Sequence, residues 1–352
     1  MLGRIRPPRC APAALLLAAL VSGCGVAPGA PRTPSRAVTP ATLAGAAAWS
    51  VGADTGRILG FGEPTFTELR GLVEHARVSV HVEVYEFGRT DIAAALVAAL
   101  RRGVSVTVID DPSETATAAT ALQLRAAGVD VVDYPIRARM IDHVKLLVVD
   151  SSVAVVGGIN WGTTSFANHD FDAEVRGPAV ANLDRVFVRD LVTCGRAVTV
   201  PAPAVDTAVE VAATLPGAEI LPMVLGAIDS ARASLDVAMY TLTDAAVVAA
   251  MESAHARGVR VRVLLDPSER PSDPSAASLR AHGVAVALYR SAGEKLHAKA
   301  AIIDGSSVVF GSANWTVSGF QHNHELDIAI PGAPAVAAAF SAQFAADWAA
   351  SA

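Results

Sequence analysis

The sequence feature that most constrains the fold is an internal duplication. Tyr85 and Tyr134 of the first half recur as Tyr240 and Tyr289 of the second half, at an offset of 155 residues. Between these landmarks both halves have an Ala-rich helical stretch, an apolar run, the tetrapeptide Asp-Pro-Ser-Glu and a second helical stretch. A unit written twice at a constant offset predicts two domains that share one fold.

Hydrophobic periodicity predicts the elements of the repeated unit. Apolar runs predict strands at 78–85, 104–109, 235–240 and 259–265. Ala- and Leu-rich stretches that end at Gly predict helices at 91–102, 116–127, 244–257 and 275–281. Asp91 and Asp244 are the predicted N-caps of the first helix in each half. Because strands alternate with helices, we expect an α/β fold: two tandem homologous α-β-α sandwich domains with mixed sheets, related by a pseudo-twofold axis.

Length and composition agree with two globular domains. The chain has 352 residues, of which 52% are hydrophobic and 18% charged, and this excludes the disordered class. We place the N-terminal domain at 49–200 and the C-terminal domain at 201–352, since Pro201 and Pro203 mark a junction. The formal net charge of −6 provides no general field for holding nucleic acid.

Each unit is followed by a motif in which Lys lies two residues after His, and Asp five residues after Lys. The two copies consist of His143, Lys145 and Asp150, and of His297, Lys299 and Asp304. Apolar arms on both sides of the Asp predict a β-hairpin, on whose first arm His and Lys point to the same face. Asn160 follows the first hairpin, whereas Ser312 and Asn314 follow the second.

The combination of side chains favours phosphodiester chemistry. Taken singly, each has a structural explanation, and a His cluster can also bind metal. Lys beside His would place a cation next to that metal, so we predict neither a metal nor a cofactor. Attack on a phosphodiester builds negative charge on the non-bridging oxygens, which Lys, Asn and Ser donors can stabilise. One imidazole can attack while the other, from the second half, protonates the leaving oxygen.

With these residues the chain resembles the phospholipase D superfamily, whose signature HxKxxxxD is followed by Gly-Gly or Gly-Ser and an Asn. The resemblance covers about residues 60–350 and implies metal-independent cleavage of a phosphodiester through a phosphohistidine. The phosphatidyl or phosphoryl group would pass to water or to another alcohol. The residues that it implies for the site are His143, Lys145, Asn160, His297, Lys299, Ser312 and Asn314. Gly158 departs from the Gly-Ser of the second motif, as the Gly-Gly of cardiolipin synthases also does.

The resemblance further implies a carboxylate that orients each histidine. Asp170 and Glu325 occupy these places, 27 and 28 residues after the histidine of the same half. By resemblance we expect His143 to be the nucleophile and His297 the general acid. Asp150 and Asp304 are expected to be structural residues of their hairpins.

The first 48 residues predict export to the outer face of a bacterial membrane. Residues 1–24 combine three Arg with an apolar run and end in Val-Ser-Gly-Cys, which resembles a bacterial lipobox with Cys24 as its lipidated residue. The Pro- and Ala-rich segment 25–48 would be a tether. Loss of residues 1–23 removes three Arg and no acid and leaves a charge of −9. An ordinary signal peptide, and hence secretion, is the alternative.

Three functions follow from this interpretation. The first is a phospholipase D-type hydrolase or transferase that acts on phospholipid headgroups at a membrane surface. The second is an exported, metal-independent nuclease of the same superfamily. The third is a binding protein that keeps the fold without catalysis. We expect a monomer and no protein partner.

Overall fold

The computed structural model describes residues 48–137, 139–291 and 293–351. The predicted export signal with Cys24, and the tether up to residue 47, lie outside these ranges. Within them, no helix combines the length and the apolar character that crossing a membrane requires.

The described residues form the following elements. The strands are β1 (Ala48–Val51), β2 (Asp54–Leu59), β3 (Ser79–Val84), β4 (Ser105–Asp110), β5 (Asp130–Asp133), β6 (Lys145–Val149), β7 (Val153–Gly157), β8 (Asn168–His169), β9 (Asp172–Arg176), β10 (Glu210–Ala213), β11 (Ser234–Met239), β12 (Arg260–Leu265), β13 (Ala285–Leu288), β14 (Lys295–Leu296), β15 (Lys299–Ile303), β16 (Ser307–Gly311) and β17 (Leu326–Ile330). The helices are α1 (Glu63–His75), α2 (Thr90–Arg101), α3 (Thr115–Ala126), α4 (Ala179–Thr193), α5 (Ile220–Ser230), α6 (Ala245–Ala256), α7 (Asp273–Ala281), α8 (Val317–Gln321) and α9 (Pro334–Ser351).

Two mixed sheets have the same strand order. The first runs β1-β2-β9-β7-β6-β3-β4-β5 and the second β10-β17-β16-β15-β11-β12-β13. In each sheet three strands are parallel, β3-β4-β5 or β11-β12-β13, and the others are antiparallel. The predicted α/β class with two homologous domains is therefore confirmed.

The hairpin that carries the motif lies between two hydrophobic cores. Leu146 and Val148 of β6 pack in a core with α4, whereas Leu147 and Val149 pack on the opposite face with α1 and α2. The core of α4 continues across to α9 and the second sheet, so α4 and α9 form the central layer. Because both faces of the sheet are covered, the hairpin arms are apolar without interruption.

The hairpin turns have the geometry that their sequence predicts. Asp150 and Ser151 have φ of 52° and 47°, and Asp304 and Gly305 have φ of 52° and 59°, as a two-residue turn between twisted strands requires. Each Asp carboxylate accepts hydrogen bonds from three successive backbone N–H groups before β3 or β11, at 2.7–3.2 Å. These Asp residues therefore fasten the turn to the neighbouring strand.

One predicted helix cap is wrong. Asp244 caps α6 by accepting hydrogen bonds from the N–H groups of Ala246 and Val247. In the first half α2 begins one residue before Asp91, and the N-cap is Arg89, which makes no side-chain cap. Asp91 instead forms an ion pair with Arg89 at 2.8 Å. The Arg guanidinium thus engages the carboxylate that would otherwise cap the helix.

Candidate active site

The two motif histidines lie where the central strands of each sheet end. Lys145 is the first residue of β6 and pairs with Val84, the last residue of β3. His143 and Tyr85 extend these strands by one or two residues, and their rings lie 5.0 Å apart. In the second half the rings of His297 and Tyr240 are also 5.0 Å apart. The same strand geometry therefore presents one histidine in each half.

The carboxylate partners of the histidines are exchanged between the halves. The Nδ1 atom of His143 lies 2.8 Å from Oε2 of Glu325. The Nδ1 atom of His297 lies 3.0 and 3.1 Å from the two oxygens of Asp170. The sequence had assigned each carboxylate to the histidine of its own half, and that assignment is wrong.

Backbone pairing across the halves is the reason for this exchange. The N–H of His143 donates to the carbonyl of His324 at 2.7 Å, and the N–H of His297 donates to the carbonyl of His169 at 3.0 Å. β8 and β14 extend the second of these contacts as a short parallel pair. Each carboxylate therefore follows a residue that is already bonded to the opposite half.

Both motif lysines are buried in the site. Lys145 is 3% exposed and Lys299 2%. The ammonium of Lys145 contacts the carbonyl of His143, and that of Lys299 lies 3.0 and 3.1 Å from the ring nitrogens of His297. Burial, which disfavours the charged form, lowers the pKa of Lys145 to about 7 and that of Lys299 to about 8. An anion in the site would remove much of this penalty.

Burial and neighbouring charges also shift the pKa values of the histidines and of their carboxylate partners. Burial lowers the pKa of both His143 and His297, in His297 to about 3. Burial alone would raise the pKa of Asp170 and Glu325, but the adjacent histidine and lysine charges outweigh it, and both pKa values are lowered. Each ionised carboxylate therefore accepts a hydrogen bond from the Nδ1–H group of its histidine. The Nε2 atom of each neutral ring then keeps its lone pair.

The two asparagines retain free acceptor capacity among the described residues. Asn160 is 8% exposed, and its Oδ1 atom, like that of Asn314, has no hydrogen-bond partner among the described residues.

Ser312 was expected to bind phosphate, but in the structure its hydroxyl has two other partners. Its hydroxyl donates to Oε2 of Glu325 at 2.6 Å and accepts from the N–H of Leu326 at 2.9 Å. Because its single proton is taken, Ser312 orients the Glu325 carboxylate.

The difference between Gly158 and Ser312 has a steric cause. A Cβ atom at Gly158 would lie 2.5 Å from Oδ1 of Asp170, which is closer than nonbonded atoms approach. The shorter carboxylate of Asp170 therefore occupies the room that the Ser312 side chain fills beside Glu325. Gly158 is required for the Asp170 to His297 contact.

Two groups of site residues were missed from the sequence. His169 and His324 were not identified as site residues, although their carbonyls accept hydrogen bonds from the backbone N–H groups of the motif histidines. Lys295 was not singled out, yet its ammonium lies 4.1 Å from the centre of the Tyr240 ring. A signal for Lys295 was its place two residues before His297, where the first half has Ile141.

Comparison with known families identifies the fold unit. The model described as "Cardiolipin synthase, PLD-like domain" matches residues 69–191 and again residues 224–348. The chain belongs to this family. Each half of the PLD-like chain thus contributes one complete copy of the family domain, and each copy contains one His-Lys-Asp motif.

Individual relatives give the same picture. A probable cardiolipin synthase of Bacillus subtilis is 25% identical over 322 residues, covering 80% of this chain and 63% of the relative. A mitochondrial cardiolipin hydrolase of Xenopus laevis is 36% identical over 119 residues, covering 34% of this chain and 56% of the relative. The crystal structure of phosphatidylserine synthase from Haemophilus influenzae shares the fold, with a TM-score of 0.62 at 12% identity over 81% of this chain and 84% of that chain. The chain spans about three fifths of the length of the cardiolipin synthases that it matches.

Proposed function

We propose that the protein is a phosphodiesterase of phospholipase D type that hydrolyses or transfers the phosphatidyl group of phospholipids. The observation that carries the proposal is the pair of buried imidazoles, each with its own ionised carboxylate, beside two buried lysines. Such a site offers one nucleophile, one acid and a cationic cradle for a phosphodiester.

In the proposed reaction His143 is the nucleophile. Its Nε2 lone pair attacks phosphorus, the bond from phosphorus to the headgroup oxygen breaks, and His297 protonates the departing oxygen. The lysines and asparagines stabilise the charge on the non-bridging oxygens. Water or an alcohol then attacks the phosphorus of the phosphohistidine and gives its proton to His297. The bond between phosphorus and Nε2 breaks, and His143 is released. Both ring nitrogens that react are Nε2, since Nδ1 of each ring is bonded to a carboxylate.

The lowered pKa of His297 sets the protonation state from which this sequence of steps starts. With a pKa near 3, His297 is neutral at pH 7 before substrate binds. A phosphodiester anion beside His297 raises this pKa and so favours protonation of the ring, which provides the proton that the leaving oxygen needs. Substrate binding is thereby coupled to activation of the acid.

Lipid is preferred as the substrate for two reasons. A net charge of −6 disfavours a polyanion such as DNA. The family description and the relatives' names concern cardiolipin, which supports a phospholipid diester.

The proposal includes export and anchoring through Cys24. A lipidated Cys24 would hold the catalytic body at a membrane surface, where headgroups are available. Metabolic labelling with a fatty acid tests this directly, and the Cys24→Ala protein should neither incorporate label nor sediment with membranes.

A substrate panel tests the activity. Full-length protein is given phosphatidylcholine, phosphatidylglycerol, single-stranded DNA and bis-p-nitrophenyl phosphate, each with brief exposure to chelator. Release of headgroup without nucleotide supports the proposal, whereas release of nucleotide alone identifies a nuclease. Failure to cleave any diester by a folded protein would identify a binding protein. Activity lost on brief chelation would contradict metal-free chemistry.

To decide the roles of the histidines, His143→Asn and His297→Asn proteins are incubated with labelled substrate and denatured in alkaline detergent, which preserves phosphohistidine. Label should accumulate on the His297→Asn protein and be absent from the His143→Asn protein. Label on the latter would reverse the assignment.

A further inference from the structure

A second cluster of chemically active side chains lies in the buried interior, apart from the phosphodiester site. It consists of Glu83 on β3, Asp190 on α4 and His324 before β17, and we call it the Glu83 cluster. Glu83 and His324 are completely buried and Asp190 is 1% exposed. None of the three side chains has a role in the reaction proposed above.

The three side chains converge on one point. Nε2 of His324 lies 2.9 Å from Oδ2 of Asp190 and 3.5 Å from Oε1 of Glu83. One ligand atom from each residue lies within 4.8 Å of the other two. With typical metal–ligand bonds of about 2.05 Å, separations of 2.9 and 3.5 Å correspond to ligand–metal–ligand angles of about 90° and about 117°. Both separations are short enough for one ion to contact the imidazole together with either carboxylate.

Glu83 has no hydrogen-bond partner among the residues that the structure describes. Neither of its carboxylate oxygens accepts a hydrogen bond from any described residue. An imidazolium at His324 would explain the 2.9 Å contact with Asp190 but would leave Glu83 at 3.5 Å, with Oε2 unsatisfied. Burying a carboxylate without a partner costs several kcal/mol by general experience. The neighbouring Asp142, also completely buried, has an oxygen without a partner among the described residues as well.

We propose that Glu83, Asp190 and His324 bind a divalent transition-metal ion. One imidazole nitrogen and two carboxylate oxygens form a donor set that suits Zn²⁺ or Mn²⁺. The ion satisfies both carboxylates at once and balances their charge inside the protein.

The second half shows what the same place looks like without the third ligand. The strand registers place Ala238 at the position of Glu83, since Val84 and Met239 both pair with the motif lysines. His169 and Asp347 are the counterparts of His324 and Asp190, and they lie 3.3 Å apart. Asp347 also accepts a hydrogen bond from Gln343. That place lacks a third ligand, because Ala238 stands where the first half has Glu83, so we expect it to bind no ion.

The metal has a structural role in this arrangement. It joins β3 and α4 of the first half to the segment before β17 of the second half, and the carbonyl of His324 holds the backbone of His143 at 2.7 Å. The ion therefore fixes one side of the interface between the halves without contacting the substrate.

Metal content tests the proposal independently of any enzyme activity. Full-length protein, expressed in medium supplemented with Zn²⁺ and Mn²⁺, is purified, gel-filtered and analysed by plasma mass spectrometry. About one equivalent of Zn²⁺ or Mn²⁺ per chain is expected. The Glu83→Gln protein should hold less than a tenth of that amount, while the matched control Asp347→Asn should keep the full equivalent.

A second measurement covers the case in which Glu83→Gln fails to fold. Wild-type protein is unfolded, stripped of metal and refolded with or without Co²⁺. Refolding with Co²⁺ should give visible absorption bands of a bound ion and a higher melting temperature. The proposal is overturned if wild-type protein holds less than a tenth of an equivalent of metal, shows no Co²⁺ bands, and melts at the same temperature after refolding with or without Co²⁺. Equal metal in the Glu83→Gln protein overturns the assignment to these residues.

Discussion

Replacing Asp170 by Asn is the change that most directly tests the exchanged carboxylates. The side chain keeps its size and its contact with His297, but loses the charge that now stabilises a proton on that ring. Because Asp170 partners the proposed acid, the variant should damage protonation of the leaving group. It should have little effect on attack by His143.

The size of the effect follows from the contact geometry. Nδ1 of His297 and the oxygens of Asp170 lie 3.0 and 3.1 Å apart, which puts the charge centres about 4 Å apart. At an effective dielectric constant of about 20, that pair contributes about 4 kcal/mol. Loss of this term from the transition state corresponds to a decrease in rate of about 10³-fold.

The assay compares two leaving groups. For a phospholipid, whose headgroup leaves as an alkoxide unless it is protonated, the first-order rate should fall about 10³-fold. For bis-p-nitrophenyl phosphate, whose leaving group needs little protonation, the burst of p-nitrophenol should slow by about tenfold or less. The Asp172→Asn protein is the matched control, since Asp172 is also buried but its Oδ1 accepts a hydrogen bond from the N–H of Ile159 rather than from a histidine. It should retain both rates.

The opposite pattern would refute the reasoning. The Glu325→Gln protein, which affects the partner of His143, should lose rate with both substrates. If instead Asp170→Asn slowed the p-nitrophenol burst as strongly as phospholipid cleavage, Asp170 would be serving the nucleophile. The exchange of partners, or the assignment of His297 as acid, would then be wrong.

Three further outcomes are expected. Residues 49–200 and 201–352, produced separately, should each leave bis-p-nitrophenyl phosphate intact, and turnover by either alone would contradict a shared site. Binding of dimethyl phosphate at pH 7 should take up protons, because the anion raises the pKa values of His297 and Lys145, which burial has lowered to near 3 and near 7. Calorimetry in buffers of different ionisation enthalpy measures the number of protons taken up, and zero uptake would contradict the prediction. Asp304→Ala removes the acceptor of three backbone N–H groups and should lower the free energy of unfolding, measured in urea, by about 1–3 kcal/mol. The kcat should stay within threefold of wild type, and unchanged stability would show that the turn does not need this carboxylate.

The fold was largely readable from the sequence because its signals are local. Periodicity and Gly stops located the four strands and four helices predicted from them to within one or two residues, and the apolar arms around Asp150 and Asp304 predicted two hairpins that the structure contains. The constant offset between the halves revealed that there are two domains. Each of these patterns depends on residues that are close in the chain.

The partners across the interface were not readable, because they depend on how two folded halves dock. Spacing alone linked Asp170 to His143, whereas backbone pairing of His169 with the opposite half carries Asp170 to His297. Ser312 looked like a phosphate donor until its proton was seen to be used by Glu325. The alternation around Glu83 predicted a strand but contained no information about α4, which covers that face.

The crossed contacts between the halves bear on how a site of this kind can diversify. A single copy of the unit could assemble it only by pairing with an identical second copy, and both histidines would then have equivalent surroundings. Joined in one chain, the copies are free to differ: Gly158 stands opposite Ser312, Asp170 opposite Glu325, and Glu83 opposite Ala238. Fusion thus allows two histidines of common descent to specialise, as the proposed roles of His143 as nucleophile and His297 as acid require.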